Sequence, residues 1–279
     1  MQVYLNGKIL PIEEAKISPM DRSFLFGDGV YEVIPFFDKR PFELKAHLER
    51  LQRSLDGIYL PNPYSIDEWQ KIIEQVVEVS QYSDLALYLQ ISRGEYSKRD
   101  HVFPEHLKPT IFIAPFELHR PTERILTEGI EVVTTEDQRW FHCNLKTTSL
   151  LGNLLARCVS AKIDASETIM IRDGYVTEAS AANIFVVKDN QVLIVPDDNL
   201  ILRGITYSII ESLLAENNIA FQKRKITKDE LINADEVWLS SSTKMVIPVT
   251  KIDGKIIKNG KAGPAFQTIS KLIWQYQSR

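Results

Sequence analysis

The chain has 279 residues, of which 44% are hydrophobic and 25% charged, and its formal net charge is −4. This composition is that of an ordinary globular protein with room for one large or two medium domains, and its acidic balance argues against a protein that binds nucleic acids. No stretch reaches the roughly 18 to 20 apolar residues of a membrane-spanning helix.

The first 117 residues are predicted to mix strands and helices. Asn6-Gly7 predicts a hairpin turn, and the β-branched and aromatic residues of Tyr31–Phe37 predict a strand. Leucines at helical spacing predict a helix over 48–58, and a capping box over Ser65–Glu68 predicts the start of a second helix. Two further strands are predicted, at 85–91 and 110–114.

Proline and polar residues interrupt the strand pattern between Pro115 and Pro121. We therefore predict an N-terminal domain over 1–117, a connecting loop over 118–122 and a C-terminal domain over 123–279. In the second domain, the pattern predicts strands at 130–135, 168–171, 183–188, 192–195, 237–240 and 246–252, and helices at 148–163 (mostly buried), 205–217, 228–234 and from 265 onward. Because helices and strands mix in both halves, the fold class is α/β or α+β.

Cysteine and histidine usage gives no sign of a metal site. Cys143 and Cys158 are too few for a zinc site or a disulfide framework, and the five histidines form no metal-binding motif. The first residues also lack the pattern of a secretory signal peptide. We therefore expect a cytoplasmic protein with no catalytic metal and no membrane partner.

Three features of the C-terminal half match what a pyridoxal phosphate enzyme needs. Lys146 can bond to the aldehyde of the cofactor, Glu178 can face its pyridine nitrogen, and the turn at Gly204–Thr206 opens a helix whose N–H groups suit a phosphate. Each feature taken singly also has an ordinary explanation: a solvated lysine, a surface glutamate after a turn, or a plain helix start.

The order and spacing of these features resemble the class IV, or fold type IV, aminotransferases, and within them the D-amino acid aminotransferases. The similarity extends from Phe26–Glu32 to Ile252–Lys255 and includes Trp140–Leu151 and the run Val176–Asn183. It implies a smaller N-terminal α/β domain, a larger C-terminal pseudo-barrel domain, pyridoxal 5'-phosphate as cofactor, and a homodimer.

By this resemblance, Lys146 is the catalytic lysine that binds the cofactor covalently, and Glu178 is the partner of the pyridine nitrogen. Other cofactor contacts are implied for Arg50, Ile205, Thr206 and Ser242 at the phosphate, for Leu202 at the pyridine ring, and for Ser180. Helical spacing alone places Arg50 on the solvated face of its helix. The chain departs from the family at Ala181 and Ala182, where hydroxyl contacts are lost, and at Ser242, which replaces threonine.

The segment Arg93–Pro104 resembles the loop with which D-amino acid aminotransferases hold the substrate carboxylate, although it is one residue longer. The resemblance implies that Arg99 and His101 bind this carboxylate together with Tyr31. The alternative is a polar surface loop in which these residues have no special role.

The resemblance implies transamination between a D-amino acid such as D-alanine and 2-oxoglutarate, which gives pyruvate and D-glutamate. Two alternatives share the fold: a branched-chain L-amino acid aminotransferase, with a more apolar pocket and no such clamp, and a 4-amino-4-deoxychorismate lyase. A third alternative is an inactive relative that keeps the fold as a scaffold, since fold alone does not establish activity.

Overall fold

A computed structural model describes residues 1–278 and divides the chain into two compact units. The first contains Met1–His119 and Leu145–Leu150, and the second contains Arg120–Asn144 and residue 151 onward. The predicted domain boundary at 118–122 stays a prediction. The short segment at 145–150 departs from it, because its backbone pairs with a strand of the first unit: Tyr31 N donates to Lys146 O at 3.0 Å.

Within residues 1–278, the first unit contains a six-stranded sheet in the order β2-β1-β6-β5-β3-β4, in which all neighbours are antiparallel. Its elements are β1 (Gln2–Leu5), β2 (Lys8–Pro11), α1 (Arg22–Phe26), β3 (Gly29–Phe37), β4 (Arg40–Pro41), α2 (Leu44–Gly57), α3 (Ile66–Glu78), β5 (Leu85–Ser92) and β6 (Thr110–Glu117). The apolar face of α2, with Leu48, Leu51 and Leu55 at most 2% exposed, belongs to the core of this unit. Burial of each of these leucine side chains stabilises the folded unit by about 1.5 to 3 kcal/mol.

The second unit contains a nine-stranded mixed sheet over the described part of the chain, in the order β12-β11-β10-β13-β14-β7-β8-β9, with β15 beside β14. Its elements are α4 (Glu123–Glu128), β7 (Ile130–Glu136), α5 (Leu151–Ala161), β8 (Glu167–Arg172), β9 (Tyr175–Ala179), β10 (Asn183–Lys188), β11 (Gln191–Ile194), α6 (Ile205–Glu216), β12 (Phe221–Lys223), α7 (Lys228–Ile232), β13 (Glu236–Ser241), β14 (Met245–Ile252), β15 (Lys255–Ile256) and α8 (Pro264–Gln277). The predicted mixed α/β class is confirmed, with the second sheet curled into a half-barrel.

Most predicted elements are present, and both capping boxes form, at Ser65 and at Thr227. The helix predicted over 148–163 is shorter, and the prediction that it is mostly buried is wrong. Only Ala156 and Ser160 are buried in α5 among its described residues, whereas Leu151, Leu154 and Leu155 are 59–69% exposed. Its apolar face therefore lies at the surface of the chain. In the described residues, no helix is long and apolar enough to cross a membrane.

Candidate active site

Lys146 lies in the first unit beside the start of β3. Its carbonyl accepts from Tyr31 N at 3.0 Å, and its own N–H donates to Ser54 Oγ at 3.1 Å. The ammonium nitrogen lies 4.3 Å from the centroid of the Tyr31 ring. Two hydrogen bonds thus fix the backbone of Lys146, and the face of the Tyr31 ring positions its side-chain amine. The structure therefore places Lys146, the predicted catalytic lysine, next to Tyr31, a predicted ligand of the substrate carboxylate.

Arg50 is buried rather than solvated, so the position predicted for it from helical spacing is wrong. Its Nε and Nη2 each donate to the Glu32 carboxylate at 2.7 Å, and His47 Nδ1 is 2.8 Å from the same carboxylate. Burial acts to raise the pKa of Glu32, but the charges and hydrogen bonds of Arg50 and His47 outweigh it and lower that pKa. Burial also lowers the pKa of His47. The sequence contains one signal for this pairing: Glu32 is an acidic residue within the otherwise apolar strand β3, which indicates that a buried basic residue lies beside it.

The predicted clamp residues lie on the loop after β5 and share one neighbour. The guanidinium carbon of Arg99 is 5.0 Å from the Phe26 ring centroid, and the His101 ring is 5.4 Å from it. The buried Arg22 holds the loop, since it donates to the carbonyls of Asp100 at 2.6 Å and His101 at 3.3 Å. Arg22 is a functional candidate that the sequence patterns did not indicate, because its role depends on contacts to a distant backbone segment.

Glu178 lies on β9 in the second unit, within a buried network of charges. Its Oε1 accepts a hydrogen bond from Arg139 Nη1, and its Oε2 accepts from Leu202 N at 3.0 Å. Arg139 also binds the Asp137 carboxylate through Nε and Nη2, at 3.0 and 2.9 Å. Burial raises the pKa of Glu178 to about 7, although Arg139 opposes this rise. The sequence pattern gives no signal for Arg139, because an arginine in a charged run resembles a surface residue.

Asn183 links Glu178 to the turn that precedes α6, and its Nδ2 lies 3.4 Å from Glu178 Oε2. Its Nδ2 donates to Leu202 O at 2.8 Å, and its Oδ1 accepts from Gly204 N at 3.1 Å. A side chain at Gly204 would place a Cβ 2.4 Å from Asn183 Oδ1, so this close approach requires glycine. The Asn183 amide therefore fixes the position of Leu202 and of the helix start relative to the carboxylate.

The start of α6 has the properties of a phosphate site. Gly204 is the N-cap, and no side chain in residues 1–278 caps this helix. Thr206 is 1% exposed, and its hydroxyl has no hydrogen-bond partner among the described residues. The N–H groups and the dipole of a helix start attract anions. Ile205 and Thr206, for which the family resemblance predicts phosphate contacts, lie at this helix start, and those contacts stay predictions. Ser242 lies in the turn between β13 and β14 and is half-buried.

Ser180 is buried next to β9, and its hydroxyl donates to Glu167 Oε1. Its carbonyl accepts from Asn153 Nδ2 at 2.9 Å. The predicted contact between Ser180 and the cofactor stays a prediction. In the structure, the partner of the Ser180 hydroxyl is the Glu167 carboxylate. No sequence pattern indicated this buried Ser180–Glu167 pair.

These residues fit pyridoxal phosphate in their chemistry. A partnerless buried hydroxyl and an uncapped helix start, both within residues 1–278, suit its phosphate, and a desolvated carboxylate suits its pyridine nitrogen. In the first unit, a lysine amine held against an aromatic ring suits its aldehyde. Lys146 belongs to the first unit, and Glu178 and Thr206 belong to the second; the chemical fit is judged for each of these residues separately.

The sequence profile described as Amino-transferase class IV matches residues 29–252. The chain belongs to the class IV aminotransferases. It is therefore a pyridoxal phosphate-dependent transferase, and this places Lys146 and Glu178 inside a matched family region.

Two curated relatives are D-alanine aminotransferases, from Bacillus licheniformis and Staphylococcus aureus strain N315. Each is 37% identical to this chain; the alignments cover 98% and 99% of this chain, and 96% and 97% of those proteins. Among solved structures, the branched-chain amino acid aminotransferase of Escherichia coli has a TM-score of 0.92 and 24% identity, with 98% of this chain and 93% of that chain covered. At that identity, the likeness to the branched-chain enzyme shows the fold alone.

Proposed function

We propose that this class IV aminotransferase transfers the amino group of a D-amino acid, such as D-alanine, to 2-oxoglutarate, with pyruvate and D-glutamate as products. The observation that carries the proposal is the 37% identity to D-alanine aminotransferases over nearly the whole chain. The position of Arg99 and His101 beside Phe26 supports it, because a guanidinium group and an imidazole N–H can both donate hydrogen bonds to a substrate carboxylate.

Lys146 is the proposed catalytic residue. When bound, pyridoxal phosphate carries the amino group between the two halves of a ping-pong cycle and accepts the electron pair left at the substrate Cα. Lys146 Nζ would hold the cofactor, and its neutral amine would move the proton at the substrate Cα. The hydrogen bonds from Tyr31 N and to Ser54 Oγ fix the lysine backbone for both tasks.

Glu178 is the proposed partner of the pyridine nitrogen, where a carboxylate keeps the nitrogen protonated and the ring able to accept electrons. Its orientation is supported by Arg139 at one oxygen and by Leu202 N at the other. Leu202, fixed by the same hydrogen bond, is the proposed packing partner of the pyridine ring.

We propose that the phosphate is bound by Ile205 and Thr206 at the start of α6, by the hydroxyl of Ser242 and by the charge of Arg50. The uncapped helix start and the partnerless Thr206 hydroxyl, both among residues 1–278, support the first two assignments. The Glu32 carboxylate fixes the plane of the Arg50 guanidinium. Ser180 is proposed as a further hydroxyl beside the cofactor.

Tyr31, Arg99 and His101 are proposed to bind the substrate α-carboxylate. Which enantiomer reacts depends on where the carboxylate is held relative to the lysine, so this clamp selects the D form. Each charge-assisted hydrogen bond contributes about 1.5 to 3 kcal/mol.

The test is an assay with the purified protein, pyridoxal phosphate and 2-oxoglutarate, in which D-alanine, L-alanine and L-leucine are supplied separately. We expect D-glutamate from D-alanine, and none from a Lys146→Ala control. A preference for L-leucine would contradict the proposal in favour of a branched-chain enzyme. Pyruvate release from 4-amino-4-deoxychorismate without an amino acceptor would instead indicate the lyase.

We further propose a homodimer with the active site at the subunit interface. The exposed apolar face of α5 supports it, because Leu151, Leu154 and Leu155 form a surface that is costly to leave in water. Light scattering should give twice the chain mass of 32.0 kDa, and Leu155→Asp should shift the protein toward monomer. A fully active monomer would contradict this proposal.

A cytoplasmic location is also proposed, because a reducing compartment keeps Cys143 and Cys158 as thiols. Fractionation of expressing cells should recover the enzyme with cytoplasmic markers, and recovery in a secreted fraction would contradict it.

A further inference from the structure

We propose that the hydroxyl of Ser240 binds the cofactor phosphate together with Thr206, a contact that rests on the proposed function and that the sequence patterns do not indicate. Ser240 lies on β13 and is 2% exposed. Its Oγ has no hydrogen-bond partner within residues 1–278. A buried polar atom without a partner is uncommon in a folded protein and indicates a group that the chain itself does not supply.

Strand register shows in which direction the Ser240 side chain extends. Ser240 lies directly opposite Asn183 in the antiparallel pair of β13 and β10. Residues directly opposite one another have their side chains on the same face of the sheet, with Cβ atoms about 4.5 to 5.5 Å apart. The Asn183 side chain on that face reaches Leu202 and Gly204 at the start of α6. Ser240 therefore faces the same helix start.

A second buried hydroxyl lies at this helix start. Thr206 is the second residue of α6, and its Oγ1 also lacks a partner among the described residues. Because neither hydroxyl is satisfied by the other, one external acceptor near both would satisfy the two together. The first N–H groups of α6, which no side chain caps within the described chain, favour a negatively charged acceptor.

A phosphate monoester fits these donors better than the substrate carboxylate does. Its three terminal oxygens can accept from two hydroxyls and from backbone N–H groups at the same time. The remaining alternative is a buried water, which would satisfy Ser240 without any role in cofactor binding.

The experiment compares Ser240→Ala with Ser240→Thr, which keeps a hydroxyl, and with Ser270→Ala, a matched control at another buried serine, on α8. Dissociation constants are measured for pyridoxal phosphate and for pyridoxal, which lacks the phosphate, together with the 31P chemical shift of the bound cofactor. For Ser240→Ala we expect about tenfold to a hundredfold weaker binding of pyridoxal phosphate, the effect of one charge-assisted hydrogen bond, and unchanged binding of pyridoxal. Ser240→Thr and Ser270→Ala should bind within about threefold of the wild type.

Wild-type affinity and an unchanged 31P shift in Ser240→Ala would overturn the proposal and assign the hydroxyl to a buried water. The unfolding midpoint of the cofactor-free variant should match that of the wild type, since no hydrogen bond within the described chain is lost. If Ser240→Ala does not fold, Ser240→Cys replaces it, because the thiol keeps most of the volume and is a weak donor. A wild-type protein that binds pyridoxal phosphate but does not transaminate D-amino acids would refute the proposed function and leave the Ser240 result standing.

Discussion

Arg139 joins two buried carboxylates: Nη1 donates to Glu178, while Nε and Nη2 donate to Asp137. Because the positive charge opposes the effect of burial, Arg139→Gln should raise the pKa of Glu178 further above about 7. It should also lower the free energy of unfolding of the cofactor-free protein by about 3 to 5 kcal/mol, since it leaves the buried Glu178 carboxylate without its ion-pair partner.

Carbon-13 NMR of labelled glutamate measures the first effect, and urea unfolding measures the second. Arg172→Gln is the matched control, because Arg172 pairs with Asp137 at 3.0 Å and has no ion pair with Glu178 in the described residues. An unchanged Glu178 pKa in Arg139→Gln would show that the ion pair with Arg139 does not determine the protonation of Glu178.

Glu178 should make the stability of the cofactor-free protein depend on pH. Its pKa rises from 4.5, the ordinary value expected in the unfolded chain, to about 7 in the folded state, so the folded state binds more protons between these values. The contribution of Glu178 to stability therefore decreases by about 3 kcal/mol as the pH rises from about 4.5 to about 7. Unfolding at several pH values should show a steeper decrease for the wild type than for Glu178→Gln, and equal slopes would contradict the shift.

Loss of the proposed clamp should affect catalysis with D-alanine. Arg99→Ala should lower kcat/KM for D-alanine by about tenfold to a hundredfold, because one charge-assisted hydrogen bond to the carboxylate is lost. Lys98→Ala, a neighbouring exposed charge, is the control and should change kcat/KM by less than about threefold. If steady-state kinetics show the two variants behaving alike, Arg99 does not bind the substrate carboxylate.

Glu236 should stabilise the fold independently of catalysis. Its carboxylate accepts from Ala265 N at 3.0 Å and Phe266 N at 2.8 Å, and thereby caps α8. Glu236→Ala should lower the free energy of unfolding by about 1 to 2 kcal/mol, as the loss of a cap does. The exposed Glu216→Ala should change it by no more than about 0.5 kcal/mol. Equal stability of the two variants in chemical denaturation would show that the cap contributes little.

The elements with strong local signals were predictable from the sequence. The alternation of β5, the capping box at Ser65 and the glycine turn before α6 all depend on neighbouring residues, and each is present in the structure. The family resemblance, rather than the local pattern, predicts the roles of Lys146 and Glu178 at the cofactor.

Contacts between distant segments were not predictable. Helical spacing predicts that Arg50 is exposed to solvent. The spacing within one helix cannot show that Glu32, 18 residues earlier on another element, forms a buried ion pair with Arg50. Leucines at the start of α5 indicated burial, but an apolar face gives the same pattern whether it packs inside the chain or remains at its surface. Ser240 gave no signal because a missing hydrogen-bond partner is a property of the folded structure.

The most direct test of the central claim is to find the residue that holds the cofactor. The protein loaded with pyridoxal phosphate is reduced with borohydride, digested and mapped by mass spectrometry. We predict a pyridoxyl group on the peptide that contains Lys146, and its loss in Lys146→Ala. A pyridoxyl group on another lysine, or on none, would contradict the assignment of Lys146 as the catalytic residue.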